Sequence, residues 1–453
     1  MKFLLFLIVM SSTVLAADYR KNEIQKLLWG DFKTTWLEDN RYPTATFTIY
    51  FANGAMQDSI QKAGTTQASI DLLFAGTSKY DQKSLSEFFD FYGVSFASNV
   101  THEYSVLSFT ALVKDLPKVT ERFCHVIKDA QYPRNELIPH KKRVVTQLRN
   151  LPSQHSALAE RAFRSIMMKG SSYEYPTDGN LASIELMQSQ SLQKKWSELR
   201  DEAPKRFYIK GPKEALFVRD QFLKDCGWKT SSSQSFRLKN PLSAMSHKIF
   251  LVPVSGANQA QIRIGRFISQ NEVKDPDEKL NFTASYLGGG FTAKLIQEVR
   301  VKRGLTYSIG SYVSMQSEYG RAGISTFSKN ETVAETINLI KSILKESSQP
   351  SKIKDEELEH MKNYVIGHYP FSFEASSSFL MQLLMLDHVN EPLEKLYQFP
   401  EKIKALSKED VADGVKRLFN WDEMVIVVVG DPSLKTSLEA IRPVEMIKAQ
   451  GLL

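Results

Sequence analysis

Eight histidines, at positions 102, 125, 140, 155, 247, 360, 368 and 388, are the side chains of this 453-residue chain best suited to hold a metal or move a proton. A helix-borne zinc pair needs two imidazoles three or four residues apart, so that both leave one face of the helix. No two of these histidines have that spacing. His360 and His368 stand two turns apart, too far to share one ion, and read as solvated helix residues. Nucleophilic catalysis has no better footing, because neither a Gly-x-Ser-x-Gly elbow nor a phosphate-cradling glycine-lysine loop is present. Cys124 and Cys226 are the two cysteines. Apolar residues at Val119, Phe123, Val126 and Ile127 recur with helical spacing around Cys124, which predicts a buried free thiol there. A bond to Cys226 stays open, since pairing cannot be read from spacing.

Elements that would position such groups are well supplied. The chain is 42% hydrophobic and 24% charged, enough apolar material for two or three compact domains. A net charge of +7 comes without any block of basic residues, so nucleic acid is not favoured as a partner. The first sixteen residues stand apart: Lys2, the apolar run Phe3 to Met10 and the small-residue exit Val14-Leu15-Ala16 read as a secretory signal peptide, residues 1–16, cleaved after Ala16. That predicts a periplasmic or secreted protein. No later run has the roughly 20 apolar residues a spanning helix needs, so stable membrane insertion is not expected.

From residue 17 onward, strands and helices follow in α+β order. Alternation from Thr46 to Phe51 predicts a strand and Gln57 to Phe74 a helix. A turn at Ala75-Gly76-Thr77, a helix over Ser84 to Tyr92, strands near Val94 to Ala97 and Val106 to Val113, and a helix opened by Pro117 come next. The sheet this implies is mixed and mainly antiparallel. The order then recurs. Gly93-Val94-Ser95-Phe96 is echoed by Gly304-Leu305-Thr306-Tyr307, 211 positions later, and Glu136-Leu137 by Glu357-Leu358, 221 positions later. A drifting offset near half the chain length predicts two homologous α+β domains with unequal loops. Their bounds are residues 17–229 and 248–453, joined by a Ser-rich linker over 230–247.

Several segments resemble one family, the pitrilysin/insulysin-type zinc peptidases, in the two-domain branch that includes mitochondrial processing peptidase. They are Gly64-Thr65-Thr66-Gln67 running into Leu72-Leu73-Phe74-Ala75-Gly76-Thr77, Tyr173 to Gly179, Leu287-Gly288-Gly289-Gly290-Phe291 through Arg303-Gly304-Leu305-Thr306-Tyr307, and Met424 to Asp431. The resemblance implies two domains that face each other like a clam shell around a peptide-holding cavity. Active members carry His-x-x-Glu-His on the first helix, two zinc ligands and a general base. The aligned positions are Gln67-Ala68-Ser69-Ile70-Asp71, so both imidazoles are gone and a hydrocarbon stands where the base belongs. The family's third ligand, a glutamate, falls near Gln147. The expectation is therefore no catalytic zinc and no catalytic residue in this chain.

The family's arginine and tyrosine on the far domain, which help hold substrate, correspond to Arg300 and Tyr307. A guanidinium offers forked donors to peptide carbonyls, and a phenol can donate to a forming oxyanion. Some members of the branch are heterodimers in which one subunit carries zinc and the other the arginine and tyrosine. The resemblance thus implies a subunit inactive on its own, paired with a zinc-bearing homologue and contributing Arg300 and Tyr307 to a shared peptide cavity, with zinc only in the partner. The alternative is a non-enzymatic peptide-binding or scaffold protein of the cell envelope. A respiratory-complex core subunit is disfavoured by the secretory character of the first residues.

Overall fold

A computed structural model describes residues 20–171, 173–229, 245–269, 277–317 and 319–453. The signal peptide expected over 1–16 lies outside the described residues, as does the linker up to residue 244.

Six strands form the first sheet: β1 (Ile24–Trp29), β2 (Phe32–Glu38), β3 (Thr44–Phe51), β4 (Ser95–Val100), β5 (Ser105–Leu112) and β6 (Lys205–Gly211), in the order β1-β2-β6-β3-β5-β4. Six more form the second: β7 (Ile249–Pro253), β8 (Gln259–Ser269), β9 (Ile309–Met315), β10 (Tyr319–Lys329), β11 (Val425–Gly430) and β12 (Val444–Met446), in the order β12-β7-β11-β8-β10-β9. From β2 and β7 onward the two orders are the same, with one parallel pair (β2 with β6, β7 with β11) inside an antiparallel sheet. This is the two-domain α+β fold, internally duplicated, that the recurring sequence segments predict. Only the outer strand differs, β1 being antiparallel to its neighbour and β12 parallel.

The helices that matter below are α1 (Thr65–Asp71), α2 (Gln82–Phe91), α3 (Leu116–Asp129), α4 (Arg134–Asn150), α5 (His155–Met167), α6 (Arg219–Cys226), α7 (Asp277–Gly288), α8 (Val333–Ser347), α9 (Asp355–His368) and α10 (Ser376–His388). The continuous helix expected over Gln57 to Phe74 is not formed. Gly64 adopts φ +86 and Asp58 takes up the first free N–H of the next turn, so the helix starts at Thr65. The free-thiol reading is also corrected: Cys124 on α3 and Cys226 at the end of α6 form a disulfide that links residues 102 positions apart.

Each sheet turns one face to its own helices, giving two separate apolar cores. The opposite faces are covered reciprocally. Helix α5 of the first half lays Leu158, Phe163 and Ile166 on Phe250, Val252, Val427 and Val429 of the second sheet. Helix α10 of the second half lays Phe379, Leu380 and Leu383 on Leu37, Tyr50, Val106 and Tyr208 of the first. This exchange explains the unbroken apolar run Val425–Val429: alternate residues serve the two faces of β11, and both faces are buried.

A buried polar contact ties the exchange together. Glu103 at the β4–β5 turn accepts from the Tyr173 hydroxyl at 2.8 Å and the Ser317 backbone N–H at 2.9 Å, and lies 2.9 Å from His388 Nε2 at the end of α10. The other ring nitrogen of His388 lies 2.9 Å from the Tyr50 hydroxyl. Burial pushes the Glu103 carboxyl pKa up, but these donors outweigh it and hold it below its ordinary value. Glu103 and His388 lie 285 positions apart, and nothing local in the sequence marks them.

Candidate functional site

Helix α1 carries the five positions aligned with the zinc motif, and its local chemistry is closed. Its N-terminus is held by Asp58, which accepts from Thr66 N at 2.9 Å and Thr66 Oγ1 at 2.7 Å and pairs with Lys195 at 3.4 Å. Burial raises the Asp58 pKa, and Lys195 works against that rise. Gln67 and Asp71, where the two imidazoles would stand, satisfy each other: Gln67 Nε2 donates to Asp71 Oδ1 at 2.7 Å. Ile70, at the position of the base, is buried in the first core, which also holds Leu148 of α4. Gln147, the expected counterpart of the third ligand, is exposed on α4. His140, the nearest imidazole on that helix, accepts from Arg143 at 2.9 Å, and burial and then that guanidinium lower its pKa. Among the described residues no group of three or more His, Cys, Asp or Glu is arranged to hold a metal ion. An amide, an isoleucine and one carboxylate also form no donor set that zinc favours.

The two glycine-bearing segments quoted for this half meet backbone to backbone. A Cβ on Gly64 would come within 2.9 Å of the Asp178 carbonyl oxygen, and one on Gly179 within 2.5 Å of that of Ala63. Both residues also hold positive φ. Their role is to seat α1 against the Tyr173–Gly179 loop, a structural need that persists after the metal ligands are gone.

The second half is open where the first is closed. Regular helix α2 ends at Gly93 (φ +59), with Val94 N donating five residues back to Phe89 O. The matching segment, Ile296–Val301, is π-wound and ends at Gly304 (φ +63), with Leu305 N donating six residues back to Val299 O. One extra residue is thus accommodated in the turn that carries Arg300, a device common at functional positions. Lys302 and Arg303 beside it are held by Glu298 at 2.6 and 3.0 Å. Arg300 has no ion pair or hydrogen bond for its side chain among the described residues. Its guanidinium lies 5.9 Å from the ring of Phe291, itself 77% exposed. Tyr307, after the buried pair Leu305 and Thr306, is also 77% exposed. Thr306 is fixed by hydrogen bonds with Ser308 and Thr326, so Tyr307 projects from an anchored backbone.

Phe291 follows the glycine run, whose residues are required by close packing. A Cβ at Gly288 would meet Ser311 N at 2.4 Å, one at Gly289 the Ser285 backbone at 2.6 Å, and one at Gly290 the Tyr364 ring at 3.0 Å. The run therefore ends α7 tightly against β9 and α9 and presents Phe291 beside Arg300, a neighbour that spacing alone did not identify.

Two duplicated α+β domains, a vacated metal helix on the first and an exposed arginine and tyrosine on the second define a two-domain peptidase fold without its metal site. Residues 34–180 match the insulinase domain (peptidase family M16), and residues 217–365 the domain described as the peptidase M16 inactive domain. The chain belongs to the insulinase peptidase family, and without metal ligands or base it is an inactive homologue. The chain is 21% identical over 402 residues, 87% of its length and 90% of the relative's, to a Helicobacter pylori protein named non-peptidase homolog YmxG. It is 21% identical over 393 residues to an uncharacterized zinc protease YmxG of Bacillus subtilis, covering 84% of this chain and 91% of that one. Among solved structures, a peptidase M16 inactive domain from Pseudomonas fluorescens superposes with a TM-score of 0.78 at 21% identity, covering 90% of this chain and 98% of that one.

Proposed function

We propose that this chain is the non-catalytic subunit of a heterodimeric zinc endopeptidase, supplying Arg300 and Tyr307 to a peptide cavity shared with a zinc-bearing homologue. The observation that carries the reading is the contrast around Arg300: both neighbouring cations are ion-paired to Glu298, while the Arg300 side chain makes no ion pair or hydrogen bond among the described residues and lies beside an exposed Phe291. An arginine left free on an anchored turn can fork to a peptide carbonyl, and Phe291 offers an apolar contact for a substrate side chain. Tyr307 can donate to carbonyl oxygen as charge develops there. Metal, water and base come from the partner. Export through a cleaved signal peptide accords with the Cys124–Cys226 bond, since such bonds persist in oxidising compartments.

Co-expression with a homologue that bears an intact His-x-x-Glu-His motif tests this. The expected result is a stable complex that cleaves a quenched fluorescent peptide, with neither chain active alone and zinc confined to the partner. Peptide binding by this chain without any complex or cleavage would favour the rival, a peptide-holding scaffold of the envelope.

A further inference from the structure

The two exchanged helices differ in how far each reaches over the sheet it covers. Arg206 of β6 and Val425 of β11 stand at the same distance from Gly211 and Gly430, the glycines that end their strands, and they pair with Tyr50 of β3 and Gly265 of β8. Helix α5 passes Gly265 at Phe163 and runs on for another turn, burying Ile166 and Met167 on the second sheet. Helix α10 passes Tyr50 at His388 and stops there. Asn390 (φ +58) reverses the chain, with Glu391 N donating back to Leu386 O at 2.8 Å, and Pro392 follows. Where the missing turn would lie, a cavity of about 810 Å³ opens between the outer strands β1 and β2 and the chain after α10.

Cross-strand register arranges the sheet face at this cavity in two rows. The row of Lys26, Thr35 and Tyr208 is taken up by Asp387: Lys26 Nζ lies 3.0 Å from that carboxylate and donates to Thr35 Oγ1 at 3.0 Å, and the Tyr208 hydroxyl donates to Asp387 at 2.9 Å. The next row is Leu28, Lys33 and Arg206. Arg206 donates to the Asp387 carbonyl, whereas Lys33 is exposed and makes no side-chain hydrogen bond or ion pair among the described residues, and Leu28 is 71% exposed. The cavity thus sets the cations Lys26, Lys33 and Arg206 against Asp387 alone, since Glu391 is held by Lys395 at 3.3 Å.

The backbone beside this row is open as well. β1 is the outermost strand of its sheet, and no strand pairs with its outer edge among the described residues. Trp29 and Phe32 close the two-residue turn Gly30-Asp31 as a hydrogen-bonded pair, so the alternate residues Lys26 and Leu28 direct their N–H and C=O outward. An exposed leucine on an uncovered edge strand is a feature folded proteins avoid unless a partner pairs there.

We propose that the outer edge of β1 and the adjoining cavity form a docking groove for an extended acidic segment of a partner protein, which adds as a further strand beside β1. Its backbone pairs with Lys26 and Leu28, the mode by which open sheet edges take up peptides. The methylenes of a glutamate opposite Leu28 rest on that leucine while its carboxylate reaches Lys33, the distance of about 9.5 Å between alternate strands being within the span of two long side chains. The excess of cations selects an acidic segment over a basic one. The groove uses neither Arg300 nor Tyr307 and does not depend on their assignment.

The test follows the fluorescence anisotropy of a labelled, end-blocked heptapeptide of alternating glutamate and valine as the full chain is titrated in. Saturable binding is expected, at least about tenfold tighter than that of the matching lysine and valine peptide. Lys33→Glu should weaken the glutamate peptide about tenfold or more and reverse the preference between the two peptides, and Leu28→Glu should also weaken it. Both positions are exposed, so Tm should stay that of the wild type. N-methylation of alternate peptide amides should abolish binding, because it removes the donors that pair with β1. Absence of saturable binding, equal affinity of wild type and Lys33→Glu, or undiminished binding of the N-methylated peptide would overturn the proposal. So would a dimer of this chain in sedimentation that Leu28→Glu dissociates, since a second copy would then occupy the edge.

Discussion

Around Gln67–Asp71 the two polar side chains aligned with the zinc ligands bond to each other; around Arg300–Tyr307 the two side chains of interest make no hydrogen bond or ion pair among the described residues. The two halves share their strand order from β2 and β7 onward, but the regions occupy different places in it: Gln67–Asp71 lies on α1, whereas the π-wound segment that carries Arg300 corresponds to α2. A retired metal site has been converted into ordinary structure, with a cap from Asp58, a Gln67–Asp71 hydrogen bond and Ile70 packed in the core. The Arg300–Tyr307 segment keeps an exposed cation and phenol that make no hydrogen bond or ion pair among the described residues. Side chains that stabilise nothing but sit on an anchored turn beside an exposed aromatic are what a recognition surface requires.

The largest effect expected from this contrast is at Ile70. Ile70→Glu places a carboxyl in the first core and should destabilise the protein by about 3–5 kcal/mol, measured by urea unfolding, without creating zinc binding. A tolerated substitution that binds zinc would show the site to be open. Removal of the staple confined to the first half is next. Cys124→Ser with Cys226→Ser should cost about 2–4 kcal/mol, because the bond closes a loop of about a hundred residues in the unfolded chain.

At the contact between halves, the sign of a pH effect follows from Glu103. Its folded pKa lies below its ordinary value of 4.5, so its contribution is fully present above pH 4.5 and is lost as pH falls through the lowered pKa. Glu103→Gln should lower Tm at neutral pH and flatten the loss of Tm between pH 4.5 and 3; parallel curves for both proteins would remove the carboxylate from the account. Smallest of all, Arg300→Ala and Tyr307→Phe should change stability by less than about 0.5 kcal/mol, the ordinary range for an exposed site. A loss of 2 kcal/mol would make them structural residues.

Much of this was legible in the sequence because it rests on local patterns. The repeated Gly93 and Gly304 turns announced the duplication, and the run from Met424 to Asp431 counted only towards the family resemblance, its burial on both faces of β11 emerging with the packed helices. The missing imidazoles were plain from Gln67 to Asp71. What escaped depends on residues far apart. The amphipathic pattern of α5 does not say which sheet it covers, so the exchange with α10 was hidden. Cys124 and Cys226 meet only once α3 and α6 are packed, and the helix expected from Gln57 was cut short by the long-range seat that Gly64 makes with Asp178. The pairing of Lys302 and Arg303 with Glu298, which leaves Arg300 alone, needed the π-turn geometry.

The proposed contribution of this chain is recognition rather than metal chemistry, and steady-state cleavage by the proposed complex with a zinc-bearing homologue tests it most directly. Arg300→Ala combined with Tyr307→Phe should lower kcat/KM at least about tenfold, roughly 1.4 kcal/mol of transition-state stabilisation, with assembly and partner zinc unchanged. Wild-type kcat/KM in that double variant, within a fully assembled zinc-loaded complex, would contradict the account.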